Sequence, residues 1–150
     1  MAFPATYDFN YYKGDTFEFR IYPKKSDGTV FSLSQYYDTN SNYNSDPIDN
    51  VSPSVLPYES ARFTIAPARG TLTTAQLAQR VTCFARISPD STHVQCAIRP
   101  SDSVVLLAGV EYVYDVEVRK PAGLPGSGTY DMVQTLLTGK IIITDQVTGA

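Results

Sequence analysis

The stretch VTCFARISPDSTHVQCAI, Val81 to Ile98, carries two alternating runs on either side of Ser88-Pro89-Asp90-Ser91. Ser, Pro and Asp at that point favour a turn, so the stretch reads as a β-hairpin. Setting Ile87 opposite Thr92 puts Ala85 opposite Val94, Cys83 opposite Cys96 and Val81 opposite Ile98. Val81, Cys83, Ala85, Ile87, Val94, Cys96 and Ile98 then share an apolar face. Arg86, His93, Gln95 and Arg99 share the other. One register serves both strands, whereas a slip by one residue would turn every apolar side chain outwards. The hairpin makes β structure the starting assumption for the rest of the chain.

Working outwards, the same period of two recurs. Tyr7, Phe9 and Tyr11 share a face, Lys13-Gly14-Asp15 is a turn, and Phe17, Phe19 and Ile21 alternate with Thr16, Glu18 and Arg20. An Asp-Gly turn in KSDGT, Lys25 to Thr29, leads to Val30, Phe31 and Leu33. Ala61, Phe63 and Ile65 resume the alternation after a long polar segment. LTTAQLAQR, Leu72 to Arg80, suits one short helical turn with Thr73 or Thr74 as its cap. PSDSVVLLAG, Pro100 to Gly109, reads as a short crossover. Val110, Tyr112, Tyr114, Val116 and Val118 form the next strand. KPAGLPGSG is a flexible turn, and a long last strand runs from Met132 to Thr144, with Gly139 as its expected bulge or bend. Seven or eight strands at this spacing predict an all-β sandwich or barrel.

The totals set bounds. The 150 residues suit one domain, 1–150, large enough to bury a core without disulfide or metal. A net charge of −3 argues against nucleic acid as the main partner, because phosphate neutralisation needs a basic face. No apolar run has the roughly 20 residues of a membrane helix. The start, MAFPATYDFN, lacks the basic and apolar regions of a secretion signal, so a protein made and used without secretion through that route is expected. Eleven Tyr and seven Phe suit both half-buried strands and interfaces.

LLAGVEYVYDVEV, Leu106 to Val118, has the form Leu-x-Ala-Gly-x-x-Tyr before an alternating strand. It resembles the tyrosine corner of immunoglobulin-like and fibronectin-like sandwiches, in which a Tyr near the start of a core strand bonds back to the connecting loop. On that reading Leu106 plugs the core, Gly109 makes the turn and Tyr112 is the corner. The alternative is that Tyr112 only packs.

Groups able to do chemistry are few. His93 is the one histidine, expected on a solvated hairpin face, and no Ser or Cys motif points to it. Asp8, Asp15 and Glu18 flank a turn and an outward strand face. No Gly-rich phosphate loop and no His/Cys metal spacing is present. An enzyme is therefore not expected, and no cofactor is called for. Cys83 and Cys96 read either as a cross-strand disulfide or as two reduced, apolar residues. The segment YYDTNSNYNSDPIDN, Tyr36 to Asn50, is the ordered exception. Asp38, Asn40, Asn42, Asn44, Asp46 and Asp49 fall at positions 1, 3, 5, 7, 9 and 12, imitating an EF-hand calcium loop. Tyr43 stands where the loop needs glycine, and Asp49 is too short for the bidentate glutamate. The segment then reads as a weak calcium site, a mobile polar loop, or an ordered partner-contact loop using Tyr36, Tyr37, Tyr43 and Tyr58.

YDFNYYKGDTFEFRIYPKKSDGTVFSLS resembles the start of small virion structural domains of tailed bacteriophages, as does the run from ISPDSTHVQCAIRPSDSVVLLAGVEYVYDVEVRK to MVQTLLTGKIIITDQVT. The family is that of the immunoglobulin-like N-terminal domain of phage baseplate upper proteins. The pieces that carry the likeness are Lys13 to Phe17, Asp27 to Leu33, Ala61 to Ile65, Leu106 to Val118 and Leu136 to Thr144, in the family's order. The chain departs from it by an insertion, residues 34–57. The resemblance implies an immunoglobulin-like antiparallel β-sandwich with one long inserted loop. It implies a non-enzymatic tail, baseplate or capsid-decorating protein, assembled in the host cytoplasm into the virion. Its partners would be other capsid or tail proteins, in a homo-oligomer or symmetric array, with no nucleic acid and no membrane. The rival class is a carbohydrate- or receptor-binding sandwich used for adhesion. The aromatic stretch MAFPATYDFNYY is expected either as an ordinary first strand or as an arm that crosses to a neighbour.

Overall fold

A computed structural model of the chain describes residues 5–34, 36, 61–88, 91–121 and 130–145. Among the described residues, eight strands dominate: β1 (Ala5–Thr6), β2 (Phe9–Tyr12), β3 (Phe17–Ile21), β4 (Ala61–Ala66), β5 (Val81–Ile87), β6 (Val94–Ile98), β7 (Glu111–Pro121) and β8 (Tyr130–Thr144). One short helix, α1 (Thr74–Leu77), precedes β5, and a 3-10 turn over Asp102–Val105 precedes β7. Thr73 caps α1: its Oγ1 accepts from the Gln76 N–H at 3.2 Å, and Gln76 Oε1 accepts from the Thr73 N–H at 3.0 Å. This reciprocal pair holds one turn in place without help from packing.

The strands form one curled, mixed sheet in the order β1-β8-β7-β4-β5-β6-β3, with β2 also on β8. The curl turns on β5. Its first half pairs with β4, Ile65 opposite Val81 and Phe63 opposite Cys83; its second half pairs with β6. Curling brings one face of distant strands together. The Phe9 and Phe17 rings stack at 4.8 Å, Phe19 meets Phe63 edge-on at 5.3 Å, and Phe63 meets Tyr114 at 5.7 Å. Such offset and edge-on aromatic pairs add to the burial of their area. Leu33, Ile65, Cys83, Ile87, Cys96, Ile98, Leu106, Val116, Leu136 and Ile141 are among the residues of the buried cluster.

Three sequence expectations change. First, the sheet is not wholly antiparallel, because β1 and β2 pair with β8 in parallel. They are one interrupted strand: the register that sets Thr6 against Thr138 also sets Phe9 against Ile141. Second, the hairpin register moves by two residues, to Ile87 opposite Val94 and Ala85 opposite Cys96. An even shift keeps every side chain on its face, so Cys83, Ala85, Ile87, Val94, Cys96 and Ile98 are buried as the alternation requires. The longer turn is held by Ser88: its N–H donates to His93 O at 2.9 Å, and its Oγ accepts from the Thr92 and His93 N–H groups. His93 is thereby buried, at 9 % exposure, with its ring 4.8 Å from that of Tyr22, and is not the solvated residue expected. Cys83 and Cys96 lie diagonally rather than opposite, and both are free thiols. Burial raises both thiols above their ordinary pKa, which keeps them protonated and unreactive.

Third, Gly139 is not the bulge. It stays in register opposite Tyr114, and the irregularities fall between Val116 and Glu117, where Leu136 is the extra residue, and between Lys120 and Pro121. The glycine answers a different need. A Cβ built on it would lie 1.8 Å from the Tyr7 carbonyl oxygen and 2.9 Å from Tyr114 Cε1. The incoming first strand therefore lies against bare backbone there.

Candidate functional site

The loop before β7 is built from the inside out. Asp102, buried, accepts from the Arg99 backbone N–H at 2.9 Å and from Arg99 Nε at 3.2 Å. Ser103 Oγ donates to Pro100 O at 2.9 Å. Leu106 is fully buried. Gly109, at φ 81, reverses the chain, a conformation glycine adopts without penalty. Its N–H donates to Ile143 O at 2.7 Å. Tyr112, also buried, reaches back: its Oη accepts from the Leu107 N–H at 2.9 Å and donates to Gln79 Oε1 at 3.0 Å. These contacts tie the loop to the sheet, to β8 and to the segment after α1.

Held in this way, the loop turns apolar side chains to solvent. Val104 is 70 % exposed and Leu107 50 %, with Val105 beside them. Leu77, on the helical turn next to Gln79, is exposed at the same end of the molecule. Sequence reasoning treated Pro100–Gly109 as a plain crossover and missed this prominence. The signal was the run Val104-Val105-Leu106-Leu107, four consecutive apolar residues in a connection, of which only Leu106 is buried. Exposed apolar residues gathered on a fixed backbone mark contact surfaces more than scattered ones do.

Of the partner-contact tyrosines, Tyr37, Tyr43 and Tyr58 lie outside the described residues. So do the calcium candidates Asp38, Asn40, Asn42, Asn44, Asp46 and Asp49, and the inserted loop at 34–57 apart from Ser34 and Tyr36. Tyr36 is placed, and it is not at the surface: it is 4 % exposed and stacks with Phe31 at 6.3 Å. Its ring belongs to the core, which corrects its reading as a contact residue. Among the described residues, no three His, Cys, Asp or Glu side chains gather closely enough to hold a metal ion.

The outward face of β4 and β7 carries a charge ladder. Arg69 bridges to Asp115 at 3.7 Å, Arg62 lies opposite Glu117, and Arg119 bridges to Glu117 at 3.7 Å. Partial burial raises the Asp115 and Glu117 carboxyls, with Arg69 and Arg119 opposing the shift. The folded chain therefore holds protons that the unfolded chain releases at the ordinary values, 3.8 for Asp and 4.5 for Glu. Stability from these two groups is complete below those values and is lost as pH rises through the raised ones. Urea unfolding across mildly acidic pH is expected to show a downward slope with rising pH, flattened in the Asp115→Asn/Glu117→Gln variant. An unchanged slope in that variant would contradict the assignment.

No family model matches the chain, and no curated protein matches it.

Proposed function

We propose that this chain is a non-enzymatic virion structural protein of a tailed bacteriophage, a tail, baseplate or capsid-decorating component that works by protein–protein contact on an immunoglobulin-like sandwich. The fold part of this reading is supported by strand order. Immunoglobulin-type sandwiches set their second, fifth and fourth strands side by side in one sheet, and their third, sixth and seventh in the other. Here β3-β6-β5 and β4-β7-β8 run in the corresponding order, with β5 shared between the halves. Tyr112 bonding back to Leu107, near the start of β7, corresponds to the tyrosine corner.

The observation that carries the functional part is the Val104–Leu107 prominence. Its Val104, Val105 and Leu107 side chains are exposed, yet its backbone is pinned by Asp102, Gly109 and Tyr112. An ordered apolar knob loses little conformational entropy when a partner covers it, which is what a permanent assembly contact needs. The resemblance of the strands and turns to phage baseplate domains supplies the setting. The reading is tested by analysing purified tailed particles from cells expressing the gene among its phage neighbours. The chain is expected at a fixed ratio to the major structural proteins, and its absence from particles would overturn the proposal. Binding to glycans without particle incorporation would favour the adhesion reading instead.

A further inference from the structure

We propose that β8 is a strand-acceptor edge, and that Ala5–Tyr12 exchanges between two copies of this chain, each copy docking its first strand on the other's β8. The ladder partner of β1 and β2 is β8, at the opposite end of the chain, and not β3, which follows them directly. The acceptor is shaped for this one segment. Gly139 leaves room for the Tyr7 carbonyl, and Tyr114 Oη donates to that same oxygen at 2.5 Å. Thr138 O accepts from the Tyr7 N–H at 2.9 Å. The Lys140 N–H donates to Asp8 Oδ1 at 2.9 Å, so a side chain stands in for a backbone acceptor where the strand is interrupted. Phe9 enters edge-on to Tyr114 at 5.3 Å and stacked on Phe17.

The link from this segment to the rest of the chain is a single turn. Gly14 takes φ 95, the Asp15 N–H donates to Tyr12 O at 3.1 Å, and Tyr11 Oη donates to Asp15 O at 2.7 Å. Opening that turn frees the segment, and a second copy offers it the same groove, contact for contact. Closed and exchanged forms then differ only by the turn and by the entropy of association, the condition under which identical elements swap. A second copy is the occupant because its residues 5–12 carry the same groups that meet Gly139, Tyr114, Thr138 and Lys140 here. Exchange would link copies of the proposed virion protein in pairs, and it rests on that reading only for its setting.

Thr6 and Thr138 are ladder partners, so cysteines there fall within the span a disulfide bridges. Cys83 and Cys96 are buried and do not compete. Chains carrying Thr6→Cys alone and Thr138→Cys alone are mixed over a range of concentrations, incubated and oxidised. A disulfide-linked heterodimer is expected, its yield rising with concentration, with the cross-link mapped to residues 6 and 138. Adding Gly139→Val to the Thr138→Cys chain is expected to cut that yield about tenfold or more, because the new side chain occupies the Tyr7 site. The Thr6→Cys/Thr138→Cys chain serves as the reference. Its closing within one chain while the mixed singles stay unlinked at every concentration would overturn exchange. Its failure to close at all, or a heterodimer indifferent to Gly139→Val, would overturn the acceptor edge itself. Particle incorporation without any mixed cross-link would sink exchange and leave the virion reading standing.

Discussion

Gly139→Val is expected to cost about 3 kcal/mol or more and to release the first strand from the sheet. The first atom of the new side chain would sit 1.8 Å from Tyr7 O and 2.7 Å from its carbonyl carbon. Neither is the end of a flexible side chain, so the clash cannot be relieved by a rotamer change. The cheaper response is for residues 5–12 to leave. Tyr7 then loses its bonds to Thr138 and Tyr114, Asp8 loses the Lys140 N–H, and Tyr11 comes out of the core. Urea unfolding would read the loss of stability. Protease cleavage between residues 5 and 16, absent in the parent chain, would read the release. Wild-type stability with a protected first strand would contradict the packing described for Gly139.

Leu106→Ala is expected to destabilise the chain by about 2–5 kcal/mol, the range for emptying a fully buried leucine site. For a chain of this size that lowers the melting temperature by on the order of 10 °C. The site cannot collapse easily, because the segments on both sides of Leu106 are tied down. Its own N–H donates to Ser103 O at 3.0 Å, and the next residue is held by Tyr112 Oη. Leu107→Ala, one position on and half exposed, is expected to change stability by less than about 0.5 kcal/mol. Equal effects at the two positions would mean that the prominence is not oriented as described.

The strands and their buried faces were legible because alternation is local: Phe17, Phe19 and Ile21, or Tyr112, Tyr114 and Val116, declare a face without reference to a partner. Pairing partners were not legible. The two-residue hairpin shift escaped detection because a period of two looks identical after an even shift, and only the longer turn around Ser88 records it. The parallel pairing of β1 and β2 with β8 depends on residues more than a hundred positions apart, joined through a missing side chain at Gly139. For the same reason Gly139 read as a local bend. His93 was misjudged because its cover, Tyr22, follows β3, a strand distant in sequence that pairs with β6. The bond from Tyr112 back to the loop at Leu107 was one of two alternatives the spacing left open, and that contact is local in sequence. The Val104–Leu107 prominence went unread because an apolar run in a strand-rich chain suggests burial.

Replacing Val104 and Leu107 together by Asp tests the central claim most directly. Both side chains are exposed, so the purified variant is expected to keep its melting temperature within a few degrees of the parent. The measurement is the amount of the variant found in purified tailed particles, relative to a major structural protein, when it is the only copy supplied. A folded variant missing from particles, or reduced about tenfold or more, is the predicted result, because a buried uncompensated carboxylate at a contact costs more than the contact can return. Incorporation at the parent level would contradict the account.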